Sequence, residues 1–168
     1  GNSAVTFPDP MLEAAMREAI GKPSGDIKSS DIDDLTELHA SDKGIASLTG
    51  LEHCRGLTFL SLGQNKIGDI SPLSGLTSLE FLGLPSNRIS DLSPLSGLTR
   101  IETVFLDRNR ISDISPLSSL TGLTQLNIDR NEISDLSPLS GLTRLEYLHL
   151  DANRIGDITP LSGLTSLE

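Results

Sequence analysis

Three aspartates recur at an interval of 22 residues in the second half of the chain: Asp107, Asp129 and Asp151. Carboxylates held in such a column could bind calcium, which prefers oxygen ligands. Arg108 and Arg130 stand next to the first two aspartates and could instead balance their charge together with a basic partner. We expect charge balance rather than a metal site, and we predict no metal and no cofactor.

A second row of aspartates repeats at the same interval, each two residues before a Ser-Pro or Thr-Pro pair. Its members are Asp69, Asp91, Asp113, Asp135 and Asp157. A carboxylate at the start of a short helix accepts backbone N–H groups, so we interpret this row as caps rather than as a metal ladder. In each pair we expect Ser as the N-cap and Pro as the first helical residue, where its missing N–H costs nothing.

The chain offers little material for catalysis. His39 and His149 hold the same place in repeats five apart, which separates them by roughly 24 Å at the usual strand spacing. Cys54 replaces a repeated leucine and is predicted to be a core residue, with His53 beside it at the surface. No Ser-His-Asp set, phosphate-binding glycine loop or His/Cys metal spacing occurs, so we expect no enzyme activity.

These residues recur because most of the chain is periodic. The phrase ISDLSPLSGLTR occurs at residues 89–100 and again at 133–144, and a period of this length predicts a solenoid. We assign residues 1–34 to an N-terminal helical cap and residues 35–168 to repeats. The repeats are 35–56, 57–78, 79–100, 101–122, 123–144 and 145–166, with a further repeat starting at 167.

Each repeat predicts a strand followed by a short helix. In LEFLGLPSN, residues 79–87, the leucines alternate with other residues, as in a strand buried on one face. The SPL segment that follows predicts a single turn or a 3₁₀-helix. An asparagine closes each strand, and its amide can bond the backbone of neighbouring coils. This predicted buried column is Asn65, Asn87, Asn109, Asn131 and Asn153.

The residues before the repeats predict an amphipathic helix that covers the first coil. Asp9 is the expected N-cap, Pro10 the first helical residue, and Gly21 with Pro23 the stop signals. The predicted apolar face consists of Leu12, Ala15, Met16, Ala19 and Ile20. We also expect a second short helix from Ser30, and core positions for both Met11 and Met16.

The shared pattern L-x-x-L-x-L-x-x-N-x-I-x-D-[IL]-S-P-L-S-G-L-T-x resembles the 22-residue leucine-rich repeat of bacterial internalins. The stretch FPDPMLEAAMREAIGKP, with SDKGIASLTGLEHC after it, resembles their N-terminal cap. The first repeat departs from the pattern, because Lys43 stands where asparagine is expected. The resemblance implies an α/β solenoid, a right-handed coil with a parallel concave sheet and convex 3₁₀ or short helices. It also implies a protein partner on the concave strand face and a secreted or cell-surface location in a bacterium, although the chain itself has no recognisable signal peptide.

The concave positions collect residues that the core does not need. Four of the five aromatic residues fall there, all except Phe7. Exposed aromatics on one surface favour an interface, although Phe59 and Phe81, on adjacent strands, could also only support the sheet. The predicted partner-binding residues are His39, Phe59, Phe81, Phe105, Asp107, Arg108, Asn127, Asp129, Arg130, Tyr147, His149 and Asp151.

The formal charge of −10 argues against nucleic acid and anionic membranes as partners, and no apolar run is long enough to insert into a membrane. We therefore expect a non-catalytic protein-recognition module. The alternatives are a structural spacer or oligomerisation array without a dedicated ligand, and an engineered consensus-like scaffold.

Leu167 and Glu168 begin a new strand, so the last coil is expected to continue in a longer protein or to be covered by another molecule. A homodimer through this uncapped coil would use Ile155, Ile158, Leu161 and Leu164.

Overall fold

The computed structural model describes residues 2–168. Two helices come first, α1 at Pro10–Ile20 and α2 at Ser29–Ile32. Six short strands follow: β1 Glu37–His39, β2 Phe59–Ser61, β3 Phe81–Gly83, β4 Thr103–Phe105, β5 Gln125–Asn127 and β6 Tyr147–His149. Each strand is followed by a 3₁₀-helix: Leu51–His53, Ser71–Leu73, Ser93–Leu95, Ser115–Ser119, Ser137–Leu139 and Thr159–Leu161.

The strands form one parallel sheet in chain order, β1 to β6. Every strand residue lies beside the residue 22 positions later, as in the series Leu38, Leu60 and Leu82. These central residues are fully buried, whereas their neighbours on both sides in β2 are only half-buried. The predicted solenoid and its alternating strands are therefore confirmed.

The aspartate two residues before each Ser-Pro or Thr-Pro turn caps that turn, beginning with Asp69. The Asp91 Oδ1 atom accepts the backbone N–H of Ser93 at 2.8 Å, and this bond holds the pKa of the carboxyl below its usual value. The same bond recurs at Asp113, Asp135 and, with Thr159, Asp157. The assignment of Ser as N-cap is wrong, since Ser93 is the first helical residue and the N-cap is Leu92, whose side chain makes no capping bond. The carboxylate two residues earlier has already taken that role.

The asparagine column joins neighbouring coils. The Nδ2 group of Asn87 donates to the carbonyls of Leu62 and Leu84 at 3.0 and 3.2 Å. Its Oδ1 atom accepts the N–H of Ile67 at 3.0 Å. Asn109 and Asn153 make equivalent bonds but are only half-buried. Within residues 2–168, no buried side-chain nitrogen or oxygen lacks a hydrogen-bond partner, so the column satisfies backbone groups that the coils leave open.

The cap helix α1 has the predicted bounds, with Gly21 in the left-handed conformation at its end. Leu12 and Met16 are fully buried, which confirms the packing face. Two expectations are wrong: Met11 is 49% exposed, and Ala19 is exposed beside an open depression. Helix α2 begins at Ser29, one residue before the expected start.

Phe7 fixes the segment before α1 to the first repeat. It is buried, and its ring lies where a β-carbon on Gly50 would come within 2.6 Å. Gly50 also has a φ of 106°, which side chains rarely adopt. Only glycine therefore allows this close approach.

The last coil is less open than its sequence suggests. Leu164 is only 5% exposed, because the partly buried Leu167 continues the core beyond it. Ile158 is 67% exposed, as expected. Within the described residues, no helix has the length and apolar character needed to cross a membrane.

Candidate functional site

The solvent-facing side of the sheet, which we call the strand face, consists of two columns of side chains. The register of the parallel strands defines both. The first column is Glu37, Phe59, Phe81, Thr103, Gln125 and Tyr147. The second column is His39, Ser61, Gly83, Phe105, Asn127 and His149.

Four rings form a continuous ladder over the first half of this face: His39, Phe59, Phe81 and Phe105. The His39 and Phe59 ring centroids are 4.7 Å apart. Phe59 and Phe81 stack at 4.3 Å with an interplanar angle of 6°, and Phe105 meets Phe81 edge-on at 5.5 Å. We call this set the ring ladder. Because His39 and Phe105 belong to the second column and Phe59 and Phe81 to the first, the ladder changes column at each of its ends.

Small residues beside the rings make this arrangement possible. A β-carbon on Gly83 would lie 3.2 Å from Cε1 of Phe81, a contact tighter than side chains normally allow. A β-carbon on Gly63 would lie 2.9 Å from Cγ of Pro85. The glycines therefore leave room for the rings and for the proline beside them.

The exposure of the aromatic side chains differs from the expectation. Phe59, Phe81 and Phe105 are half-buried because each ring covers its neighbour, whereas Tyr147 is 42% exposed. The Tyr147 hydroxyl donates to Oε2 of Glu168 at 2.9 Å, and this bond raises the pKa of the phenol. The ladder thus supports the sheet and also presents a shared apolar surface.

A groove of about 480 Å³ lies beyond the ladder, over β4 to β6. It brings together four predicted residues: Phe105, Asn127, Tyr147 and His149. Gln125 and Leu126 also line it and were not among the predicted site residues. The place of Gln125 in the first column could have identified it, but Leu126 points to the core and carries no such signal.

The aspartate column lies two residues beyond the second column. The Asp129 Oδ1 atom accepts the backbone N–H of Asp151 at 2.7 Å. Neither Arg108 nor Arg130 forms an ion pair with any carboxylate of residues 2–168, so the expected charge balance by these arginines and a basic partner stays a prediction. In the same part of the chain, no three His, Cys, Asp or Glu side chains are grouped to hold a metal ion.

The remaining reactive side chains do not converge. His39 lies 3.4 Å from the Glu37 carboxylate on β1, whereas His149 lies on β6, at the other end of the sheet. Cys54 is fully buried, as predicted, and burial raises the pKa of its thiol to about 12. A thiol with this pKa is almost never ionised at neutral pH and is a poor nucleophile.

A family model of leucine-rich repeats (two copies) matches residues 77–119, 101–141 and 121–163. An internalin of Listeria monocytogenes is 37% identical with a TM-score of 0.93, and the alignment covers 96% of this chain and 48% of that one. Internalin C2 of the same species is 30% identical with a TM-score of 0.62, covering 96% and 92%.

A leucine-rich repeat protein of Leptospira interrogans is 23% identical, with a TM-score of 0.76 over 82% of this chain and 37% of that one. At that identity the likeness concerns the fold alone. No curated protein sequence matches the chain. The chain spans about half the length of the first internalin.

Proposed function

The chain belongs to the leucine-rich repeat family, as a domain of the internalin type, and on that premise we propose that it is a protein-recognition module. Its partner binds the strand face, and the chain itself performs no catalysis. The observation that carries this proposal is the ring ladder of His39, Phe59, Phe81 and Phe105.

The ladder favours recognition because the core does not require it. Every coil already contains buried leucine, isoleucine or valine side chains, and the rings lie on the opposite side of the strands. Aromatic side chains supply a large contact area with few rotatable bonds, and they are enriched among the residues that dominate binding energy. The groove over β4 to β6 continues this surface and adds polar groups at Asn127 and His149.

The similarity to internalins supports a location on the cell surface of a bacterium or among its secreted proteins. The sheet-supporting role of Phe59 and Phe81 is compatible with binding, because their stack leaves both rings half-exposed. A spacer without a dedicated ligand would have no requirement for these rings beyond stability.

The test compares two double variants in affinity capture from a mixture of extracellular proteins. Phe59→Ala with Phe81→Ala removes the stacked pair, and Ser74→Arg with Ser140→Arg alters the opposite, helical side, where both serines are exposed. Truncation of a central aromatic contact typically weakens binding by about 2 kcal/mol or more. We expect that at least one protein is captured by the parent and by the serine variant but not by the phenylalanine variant.

Unfolding midpoints must show that both variants remain folded at the capture temperature. If every protein retained by the parent is also retained by the folded phenylalanine variant, the strand face is not the binding surface. The spacer function would then be the better explanation of the repeats.

A further inference from the structure

Five cationic side chains lie along the edge of the sheet where the strands end: Lys66, Arg88, Arg108, Arg110 and Arg130. We call them the basic rim. They occupy the two positions on either side of the column asparagine, which points inward; the same row continues with Glu132 and Arg154, which pair with each other at 3.1 Å. All five side chains are therefore directed outward and are exposed.

The backbone fixes the spacing of the rim. The N–H of Arg88 donates to Ile67 O, and that of Arg110 to Ile89 O, each at 2.8 Å. One row of the rim thus advances by one coil at a time, which is about 4.8 Å per step. Arg108 and Arg130 are held in the same way, through bonds from their N–H groups to Asp129 O and Asp151 O.

The rim is unpaired although the chain as a whole is acidic. None of its five cations lies within 4.0 Å of a carboxylate in residues 2–168, while the formal charge is −10. The row of aspartates on the helical side does not pair with the rim. Asp69 and Asp91, for example, accept backbone N–H groups of their own helical turns. Five of the thirteen lysines and arginines are thus held together without internal partners.

The rim borders the ring ladder directly. Between Phe59 or Phe81 and the rim, the strand-face positions are Gly63 and Pro85, which carry no charge. At the opposite edge of the sheet, Glu80, Glu102 and Glu146 precede their strands, and Arg100 of that edge is already paired with Glu80 at 3.3 Å. Unpaired cations are therefore concentrated at the edge of the strand face that carries the rim.

We infer that the partner is an acidic polypeptide segment, which places apolar side chains on the ring ladder and carboxylates over the basic rim. The inference rests on the proposed function and names the chemistry of the partner. Arginine favours carboxylates because its planar group can donate two parallel hydrogen bonds to them. At physiological salt, charges more than about 8 Å apart are largely screened, so the local rim outweighs the net charge of the chain.

A polypeptide fits the rim better than nucleic acid does. The rim is narrow, with the aspartates of the helical side along one margin and Asp107, Asp129 and Asp151 along part of the other. A polyanion much wider than a single extended chain would therefore meet carboxylates on both sides. A strand-like peptide can instead direct its carboxylates to the rim and turn its apolar side chains to the rings.

The experiment measures binding of a fluorescein-labelled oligoglutamate peptide by fluorescence anisotropy at about 0.15 M salt. Arg88→Glu with Arg110→Glu reverses two rim charges, and Arg100→Glu with Arg144→Glu makes the same change in net charge at the other edge. We expect the rim variant to bind at least about tenfold more weakly than the parent, with the control variant close to the parent. Thermal unfolding of both variants checks that they are folded, and Arg88→Gln with Arg110→Gln replaces the rim variant if charge reversal prevents folding.

Equal losses in the two variants, or no binding of the peptide by the parent, would overturn the inference. Tighter binding of oligothymidylate of equal charge would overturn the choice of a polypeptide. The capture experiment on Phe59 and Phe81 does not involve the rim, so a failed rim test leaves the strand-face proposal standing. If the strand-face proposal fails while the binding of oligoglutamate still depends on Arg88 and Arg110, the rim binds acidic segments without help from the ring ladder.

Discussion

From the second repeat to the sixth, two consecutive residues that follow the strand determine how one coil joins the next. In the third repeat, Ser86 adopts a left-handed φ of 56° and Asn87 inserts its amide between coils. The positive φ turns the chain so that the asparagine points inward and Arg88 points outward. Stability at this point therefore depends on one side chain and on one backbone conformation.

We predict that Asn87→Ala destabilises the fold far more than Arg88→Ala does. The change leaves the Leu62 and Leu84 carbonyls and the Ile67 N–H without their bonds, and unsatisfied buried groups cost about 1–3 kcal/mol. A surface change is usually within about 0.5 kcal/mol. Urea unfolding at equilibrium measures both, and equal shifts of the midpoints would show that the asparagine column does not hold the coils together.

The conformation of Ser86 supports a second prediction. Ser86→Val should lose about 1–2 kcal/mol, because a left-handed φ is costly for a side chain branched at Cβ. Ser86→Asn should be neutral or stabilising, since asparagine tolerates this region. Ser90→Val, at an exposed position with ordinary φ, is the control. A Val variant at Ser86 as stable as that control would contradict the assigned backbone geometry.

The asparagine column could be predicted from the sequence, but the positive φ beside it could not. The residues that adopt this conformation share no type: they are Asp42, Gln64, Ser86, Arg108, Arg130 and Ala152. Bonds between coils impose the conformation, as where the N–H of Ser86 donates to Asp107 O at 2.8 Å. Such a bond is long-range and leaves no local signal.

Among the elements, α1 shows how a cap is attached to the repeats. The Asp9 Oδ1 atom accepts the N–H groups of Met11 and Leu12, and Oδ2 accepts those of Ala46 and Ser47 in the first repeat. One carboxylate therefore starts the helix and also fastens it to the solenoid. The sequence predicts the first role, which is local, but not the second, which joins residues far apart in the chain.

We predict that Asp9→Asn destabilises the protein by roughly 1–3 kcal/mol at neutral pH, because the amide keeps one acceptor oxygen for the helix but turns an NH2 group towards the N–H groups of Ala46 and Ser47. Burial raises the pKa of the Asp9 carboxyl, but the four backbone N–H groups outweigh burial and hold the pKa below its ordinary value of 3.8. The contribution is therefore complete above about pH 4 and is lost as the pH falls through the folded-state pKa.

Thermal or urea unfolding of parent and variant from pH 7 to pH 2 measures this difference. The difference in free energy of unfolding between the parent and Asp9→Asn should become smaller only at acidic pH. Asp34→Asn, at an exposed carboxylate for which no hydrogen bond is seen within residues 2–168, is the control. A gap that stays constant down to the lowest pH would contradict the role of the charged carboxylate.

At the scale of the whole molecule, the repeat aligns equivalent positions into columns, and those columns create the candidate site. The period alone predicts that Phe59 and Phe81 are neighbours and that Asn127 and His149 share a column. It does not predict that Phe105 reaches diagonally to Phe81, or that the rings cover one another. Those features depend on rotamers and on the space that Gly83 leaves, which only the three-dimensional structure reveals.

Photocrosslinking tests the proposed strand-face interface most directly. Benzoyl-phenylalanine replaces Thr103, between the ring ladder and the groove, or Ser118, exposed on the helical side. Mass spectrometry identifies what each variant crosslinks in the mixture used for affinity capture. We predict that the captured partner crosslinks from position 103 and not from position 118. Crosslinking of that partner from position 118 alone, or equally from both positions, would contradict recognition through the strand face.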